Sequence, residues 1–183
     1  PIYPGTCRSR SFTPSLPAHS IRFRVPPVVV TIDDRVQESR GSSLQRDVGD
    51  FIIKRRDGLV AYQLAVTVDD AYQNISHVIR GSDLLDSSLK QACLGTALDY
   101  PPINYAHIPL LVDQQGHKLS KSTGAAAIPD GKPIACIRQA LNALGQPLFP
   151  EIDDLESLLQ AATEAWSMDR VPKRLTLAAP DPY

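Results

Sequence analysis

The chain has 183 residues and a formal net charge of −1, which gives room for one domain with a real core but supplies no global positive field of the kind that grips nucleic acid. No window approaches the roughly 18 unbroken apolar residues of a membrane span, and the start lacks the charged-then-apolar pattern of a signal peptide. Cys7, Cys93 and Cys136 are too few and too scattered for a disulfide framework, so the expectation is a reducing, cytoplasmic compartment and no membrane partner.

Residues 1–20 contain Pro4, Gly5, Pro14 and Pro17 and are expected to be irregular. Ile21 to Val25 alternates apolar and polar residues, the period of a half-buried strand. Pro26-Pro27 ends it, and Val28 to Ile32 is a second β-branched run closed by Asp33-Asp34. Residues 37–47 are polar and read as a loop, and a third short strand spans Asp50 to Lys54. After Gly58, Leu64, Ala65, Val68, Ala71 and Tyr72 fall at helical spacing over Tyr62 to Tyr72. A strand over Ile75 to Ile79 stops at Arg80-Gly81, and Ser82 or Asp83 can cap a helix over roughly 84–98. A strand follows from Tyr105 to Val112. The alternation predicts an α/β layer with a parallel sheet, whose ligands sit at the carboxyl ends of strands, where Arg80 and the loop after Val112 fall. Beyond Gly124 the chain turns helical. Pro133 to Leu144 has proline in its first turn and Gly145 past its end. Ile152 to Trp166 is a further helix, and Arg170 to Tyr183 is a proline-containing tail.

The chemistry concentrates in Lys118-Leu119-Ser120-Lys121-Ser122. Gly116 frees the backbone just before it, Lys118 and Lys121 supply two cations three residues apart, and Ser120 and Ser122 supply hydroxyls. Two point charges on a loop suit a triphosphate whose charge shifts as pyrophosphate leaves. Alone, the same five residues would also make an ordinary solvated turn. Asp69-Asp70 reads as the solvated end of a helix, and His77 and His107 lack partners at metal-ligand spacing, so both are taken as packing or surface residues.

The surrounding stretches change the weight of that loop. Asp57 to Val66, Val68-Asp69-Asp70, His77 to Leu85, Tyr105 to Leu110 and the lysine loop occur in an order and spacing that resemble the catalytic core of the class I glutamyl-tRNA synthetase family. The resemblance covers 58–124 and is weaker over 8–56 and toward the end of the chain. Tyr62-Gln63-Leu64-Ala65 and Gly81 to Ser87 are similar to the family's truncated paralogues, the glutamyl-queuosine tRNA(Asp) synthetases, as is Trp166 to Pro172. The chain also ends about sixty residues past the lysine loop, too soon for an anticodon-binding domain of the full-length kind.

The resemblance implies activation of L-glutamate by ATP with magnesium, then transfer of the glutamyl group to queuosine of tRNA(Asp). It assigns Tyr62 and Arg80 to glutamate, and Lys118, Ser120 and Lys121 to ATP, with both lysines catalytic. A fixed arginine fork suits a carboxylate and a phenol adds a hydrogen bond, although a surface salt bridge and a core aromatic would use the same residues. Tyr3 and Cys7 match the Tyr-x-x-x-Cys half of the paralogues' zinc site, whose Cys-x-Cys half has no counterpart here. A structural zinc wants four ligands, so the chain by itself is expected to be poor in zinc.

The implied organisation is a remnant of the zinc-binding segment over 1–20, the second half of a Rossmann-like catalytic domain with inserted strands over 21–124, and a helical region over 125–183. The ATP-binding His-x-Gly-His signature is absent. The chain, starting at Pro1, is therefore expected to be part of a monomeric enzyme and inactive alone. The alternatives are a piece of a glutamyl- or glutaminyl-tRNA synthetase that charges the tRNA 3′ end, and an inert binding module on the same fold.

Overall fold

The computed structural model describes residues 2–9 and 18–179. Its contacts divide the chain into two compact units: Pro1–Asp34, Ser39–Val78 and Leu84–Tyr105 in the first, and Arg35–Glu38, Ile79–Asp83 and Ala106–Tyr183 in the second. In chain order, β1 (Ile21–Phe23), β2 (Val29–Ile32) and β3 (Arg40–Ser43) precede a single turn, α1 (Leu44–Asp47), and β4 (Phe51–Lys54). Then come α2 (Tyr62–Tyr72), β5 (His77–Gly81), α3 (Leu85–Ala97), β6 (Asn104–Ile108), β7 (Leu110–Val112), α4 (Pro133–Ala143), α5 (Leu155–Glu164) and β8 (Thr176–Ala178). This is the mixed α/β class expected. Among the described residues the strands pair two by two, β1 with β4, β2 with β3, β5 with β6 and β7 with β8.

In the first unit, β1 and β4 are antiparallel with Phe23 opposite Phe51, their ring centroids 5.5 Å apart. The segment read as a polar loop instead holds β3 and α1. Arg40-Gly41-Ser42-Ser43 has no apolar alternation to announce a strand; its order comes from antiparallel pairing with β2. Fully buried Leu44 then anchors α1 in a core shared with Val25, Ile32, Phe51, Leu85, Leu89, Leu94 and Tyr105. Each such leucine contributes roughly 1.5–3 kcal/mol through burial. The second helix begins and ends where the spacing predicts. A polar chain joins it to α3: Gln63 Nε2 donates to Ser87 Oγ at 3.0 Å, and Gln91 Nε2 donates to Gln63 Oε1 at 2.9 Å.

Ser82 and Asp83 do not cap α3. Its N-cap is Leu84, with no side-chain cap bond. Ser82 Oγ donates to the Leu175 carbonyl and Asp83 accepts from Lys118, so both capping groups are committed elsewhere.

In the second unit, Pro109 divides the expected strand of 105–112 into β6 and β7, because proline has no N–H for a continuous ladder. β7 lies parallel to β8, in register from Leu110 opposite Thr176 to Val112 opposite Ala178, so the proline-containing tail includes a strand. The helical region packs Leu141, Leu158 and Ala162 against Ile134, Ile137, Phe149 and Ile152. Pro133 starts α4, and Gly145 beyond its end has φ 67°. A Cβ there would lie 2.5 Å from the Arg170 carbonyl oxygen, so glycine is required on two counts. Asp154 caps α5 by accepting from the Ser157 amide at 2.8 Å.

Candidate active site

The lysine loop grows out of β7. Asp113 folds the chain back: its carboxylate accepts from the amides of Gln115 at 2.9 Å and His117 at 2.8 Å, and Gly116 takes φ 81°. Those two N–H bonds, the His117 one foremost, hold the Asp113 carboxyl below the usual carboxylate range. The hairpin closes as Leu119 N–H donates to the Leu111 carbonyl and Lys118 bridges Val112. Lys121–Thr123 then forms one 3₁₀ turn, which Gly124 ends in the left-handed region.

Hydroxyls hold this turn together. Thr123 Oγ1 accepts from the Ser120 amide at 3.0 Å and lies 3.0 Å from the Lys118 carbonyl, while Ser120 Oγ and Ser122 Oγ are 2.9 Å apart. Lys118 Nζ pairs with Asp83 Oδ2 at 2.6 Å, the two side chains 50% and 38% exposed. Lys121 is exposed and forms no ion pair with any described residue. The loop therefore offers one cation already matched by a carboxylate and one facing solvent, beside a cluster of hydroxyls.

Arg80 occupies β5, half-buried, and its Nε donates to His107 Nε2 at 3.1 Å. The residue after it is closely approached: a Cβ on Gly81 would sit 2.8 Å from the side-chain ends Leu110 Cδ2 and Asp83 Oδ1, so both would have to shift to admit one. Arg80, Lys118, Ser120 and Lys121 all belong to the second unit. Tyr62 belongs to the first, where it opens α2 with 51% of its surface exposed. Two partners went unnoticed in the sequence, Asp83 and His107. Both lie inside the stretches that carried the family resemblance, but no spacing rule links Asp83 to Lys118 or His107 to Arg80.

Tyr3 and Cys7 are also in the first unit. The Cys7 amide donates to Tyr3 Oη at 2.8 Å, so the two side chains named for zinc share one turn, and Cys7 is exposed. The Arg22 guanidinium lies 4.1 Å from the centroid of the Tyr3 ring. Arg8, the residue after Cys7 in the same turn, donates through Nε and Nη2 to buried Asp50, both at 2.6 Å, which lowers the Asp50 carboxyl pKa. Among the described residues no three His, Cys, Asp or Glu side chains cluster for a metal. Tyr3 and Cys7 thus do not by themselves fit a closed tetrahedral zinc centre. None of the helices in the described residues is long and apolar enough to cross a membrane.

Residues 9–132 match the family of tRNA synthetases class I (E and Q), catalytic domain. A glutamyl-Q tRNA(Asp) synthetase of Acinetobacter baylyi is 42% identical over 177 residues, covering 97% of this chain and 60% of that protein. Another, from Thiobacillus denitrificans, is 43% identical over 187 residues, covering 99% and 60%. The chain thus spans about three-fifths of the length of these curated relatives. Among solved structures, a glutamate tRNA ligase from Elizabethkingia meningosepticum in complex with its amino acid superposes with a TM-score of 0.66 at 21% identity, over 85% of this chain and 35% of that one. The glutamate-tRNA synthetase of Elizabethkingia anophelis gives 0.67 over the same shares. At that identity the likeness is one of fold.

Proposed function

Because the chain belongs to the class I tRNA synthetases for glutamate and glutamine, within their catalytic domain, we propose that it forms the glutamate-gripping and phosphate-handling part of a glutamyl-Q tRNA(Asp) synthetase. The observation that carries this is the placement, in one compact unit, of the Arg80 guanidinium on β5 and the two-lysine loop on the β7 hairpin. The names of the relatives support the choice of queuosine over the tRNA 3′ end. The activity is that of the protein spanning the relatives' full length. The proposed domain plan remains a zinc-segment remnant over 1–20, the catalytic half over 21–124 and a helical region over 125–183.

In the proposed reaction an oxygen of the glutamate α-carboxylate attacks the α-phosphorus of ATP, forming glutamyl-adenylate as pyrophosphate leaves. A hydroxyl of the queuosine cyclopentenediol then attacks the glutamyl carbonyl carbon, and AMP departs. Arg80 pairs with a glutamate carboxylate and Tyr62 offers it a phenolic hydrogen bond. Lys118 and Lys121 meet the phosphates, whose charge grows on the leaving pyrophosphate, and Ser120 holds the loop and adds a hydroxyl there. Stabilising that growing charge with preset cations is the loop's share of catalysis. Magnesium accompanies ATP and shields its phosphates. Tyr3 and Cys7 would furnish two ligands of a structural zinc, and no chemical step passes through it.

The test is glutamate-dependent exchange of pyrophosphate into ATP by protein made from the whole reading frame that contains this chain. Arg80→Ala is expected to weaken glutamate far more than ATP; unchanged glutamate affinity would remove Arg80 from the pocket. Labelled glutamate is expected on queuosine-containing tRNA(Asp) and not on tRNA(Glu). Charging of the tRNA(Glu) 3′ end would favour an ordinary synthetase instead.

A further inference from the structure

His107 is fully buried on β6. A polar ring inside a core must have partners, and Nε2 accepts from Arg80 Nε at 3.1 Å. A guanidinium has no acceptor and does not lose its proton in proteins. The shared hydrogen therefore belongs to Arg80, and Nε2 of His107 presents its lone pair. The ring is the neutral tautomer protonated on Nδ1. The backbone is fixed as well: Gln37 Nε2 donates to the carbonyls of both His107 and Arg174, each at 2.9 Å.

We infer that His107 is a positioning residue for glutamate recognition, a buried neutral acceptor that sets the plane of the Arg80 guanidinium. With Nε–H committed to the imidazole, a substrate carboxylate cannot use the side-on fork made by Nε and one Nη. The guanidinium also cannot rotate about its last bonds without breaking the bond to His107. This orientation is fixed before the substrate arrives, which lowers the ordering cost of binding. The inference rests on Arg80 being the glutamate-binding cation.

Two measurements test it. In protein from the whole reading frame labelled with ¹⁵N, His107 Nε2 should show the shift of an unprotonated ring nitrogen; a proton on Nε2 would overturn the inference. In the exchange assay, with protein from the whole reading frame, His107→Leu keeps the site filled but removes the acceptor. It should raise the glutamate KM about tenfold and leave the ATP KM unchanged. His107→Gln, whose amide oxygen can accept from Nε–H, should recover most of that loss. A merely structural histidine would move both KM values with the melting temperature and would show no such recovery. Arg80→Ala separates the two ideas. If it leaves the glutamate KM unchanged, the glutamate pocket itself is wrong. If it raises that KM while His107→Leu does not, the inference about His107 alone fails. Should the leucine variant not fold, the glutamine variant and the nitrogen shift still decide: a glutamate KM raised as far as that of Arg80→Ala, or a protonated Nε2, would overturn it.

Discussion

The Arg80 corner and the lysine loop belong to the same compact unit but are built by opposite means. The first is held by a strand, a buried imidazole and a glycine closely approached by the Leu110 and Asp83 side chains. The second is held by small hydroxyls, one Asx-type turn and an exposed ion pair. A residue that selects a substrate gains from being immobile before it binds. A residue that follows a phosphate through a changing charge distribution gains from a loop that can adjust. The difference teaches that the two halves of the proposed reaction make opposite demands on the backbone.

Substitutions should expose that contrast. The largest effect is expected at Gly81→Ala. Its methyl would press on Leu110 and Asp83 from 2.8 Å, costing about 1–3 kcal/mol of stability as overpacking does elsewhere. Urea unfolding measures this, and a loss below about 0.5 kcal/mol would mean that the corner yields after all. In the lysine loop, Thr123→Ala removes the acceptor for the Ser120 amide, worth about 1 kcal/mol. Faster hydrogen exchange at Ser120, with little change in global unfolding, would locate that loss in the loop.

Acid should act more locally still. The Asp113 carboxyl is held low by the His117 and Gln115 amides, so its support of the turn is complete above the ordinary carboxylate pKa of about 3.9. It is lost as pH falls through the lowered native value. Amide shifts of Gln115 and His117 should titrate together below about pH 4, while those of β6 should not follow. The smallest effect on stability is expected for Lys118→Met. Its partner is exposed and solvent-screened, so the loss should stay under about 1 kcal/mol even where pyrophosphate exchange falls steeply.

The same contrast decides what the sequence could disclose. The second helix, Tyr62–Tyr72, was legible because its apolar spacing is local. The lysine loop was legible because its five residues are contiguous, and the family's order of motifs set it in context. Strand β3 was not legible, since Arg40-Gly41-Ser42-Ser43 becomes a strand only through its neighbour β2. Strand β8 was hidden for the same reason. Ser82 and Asp83 have the composition of helix caps, yet tertiary partners took both side chains. His107, read from the sequence as a packing or surface residue, is buried, but its bond to Arg80 spans 27 positions, and no periodicity encodes a contact of that kind.

The parallel pairing of β7 with β8 bears on the order in which the molecule is made. β7 feeds the lysine hairpin, and its partner lies far along the chain at Thr176–Ala178. During synthesis, Arg80, His107 and both lysines leave the ribosome well before β8 exists. Closing a long stretch of chain into a parallel pair is slow and entropically costly. The lysine hairpin should therefore acquire its final neighbour late, and a nascent chain arrested before residue 176 should carry the loop on an unfinished edge.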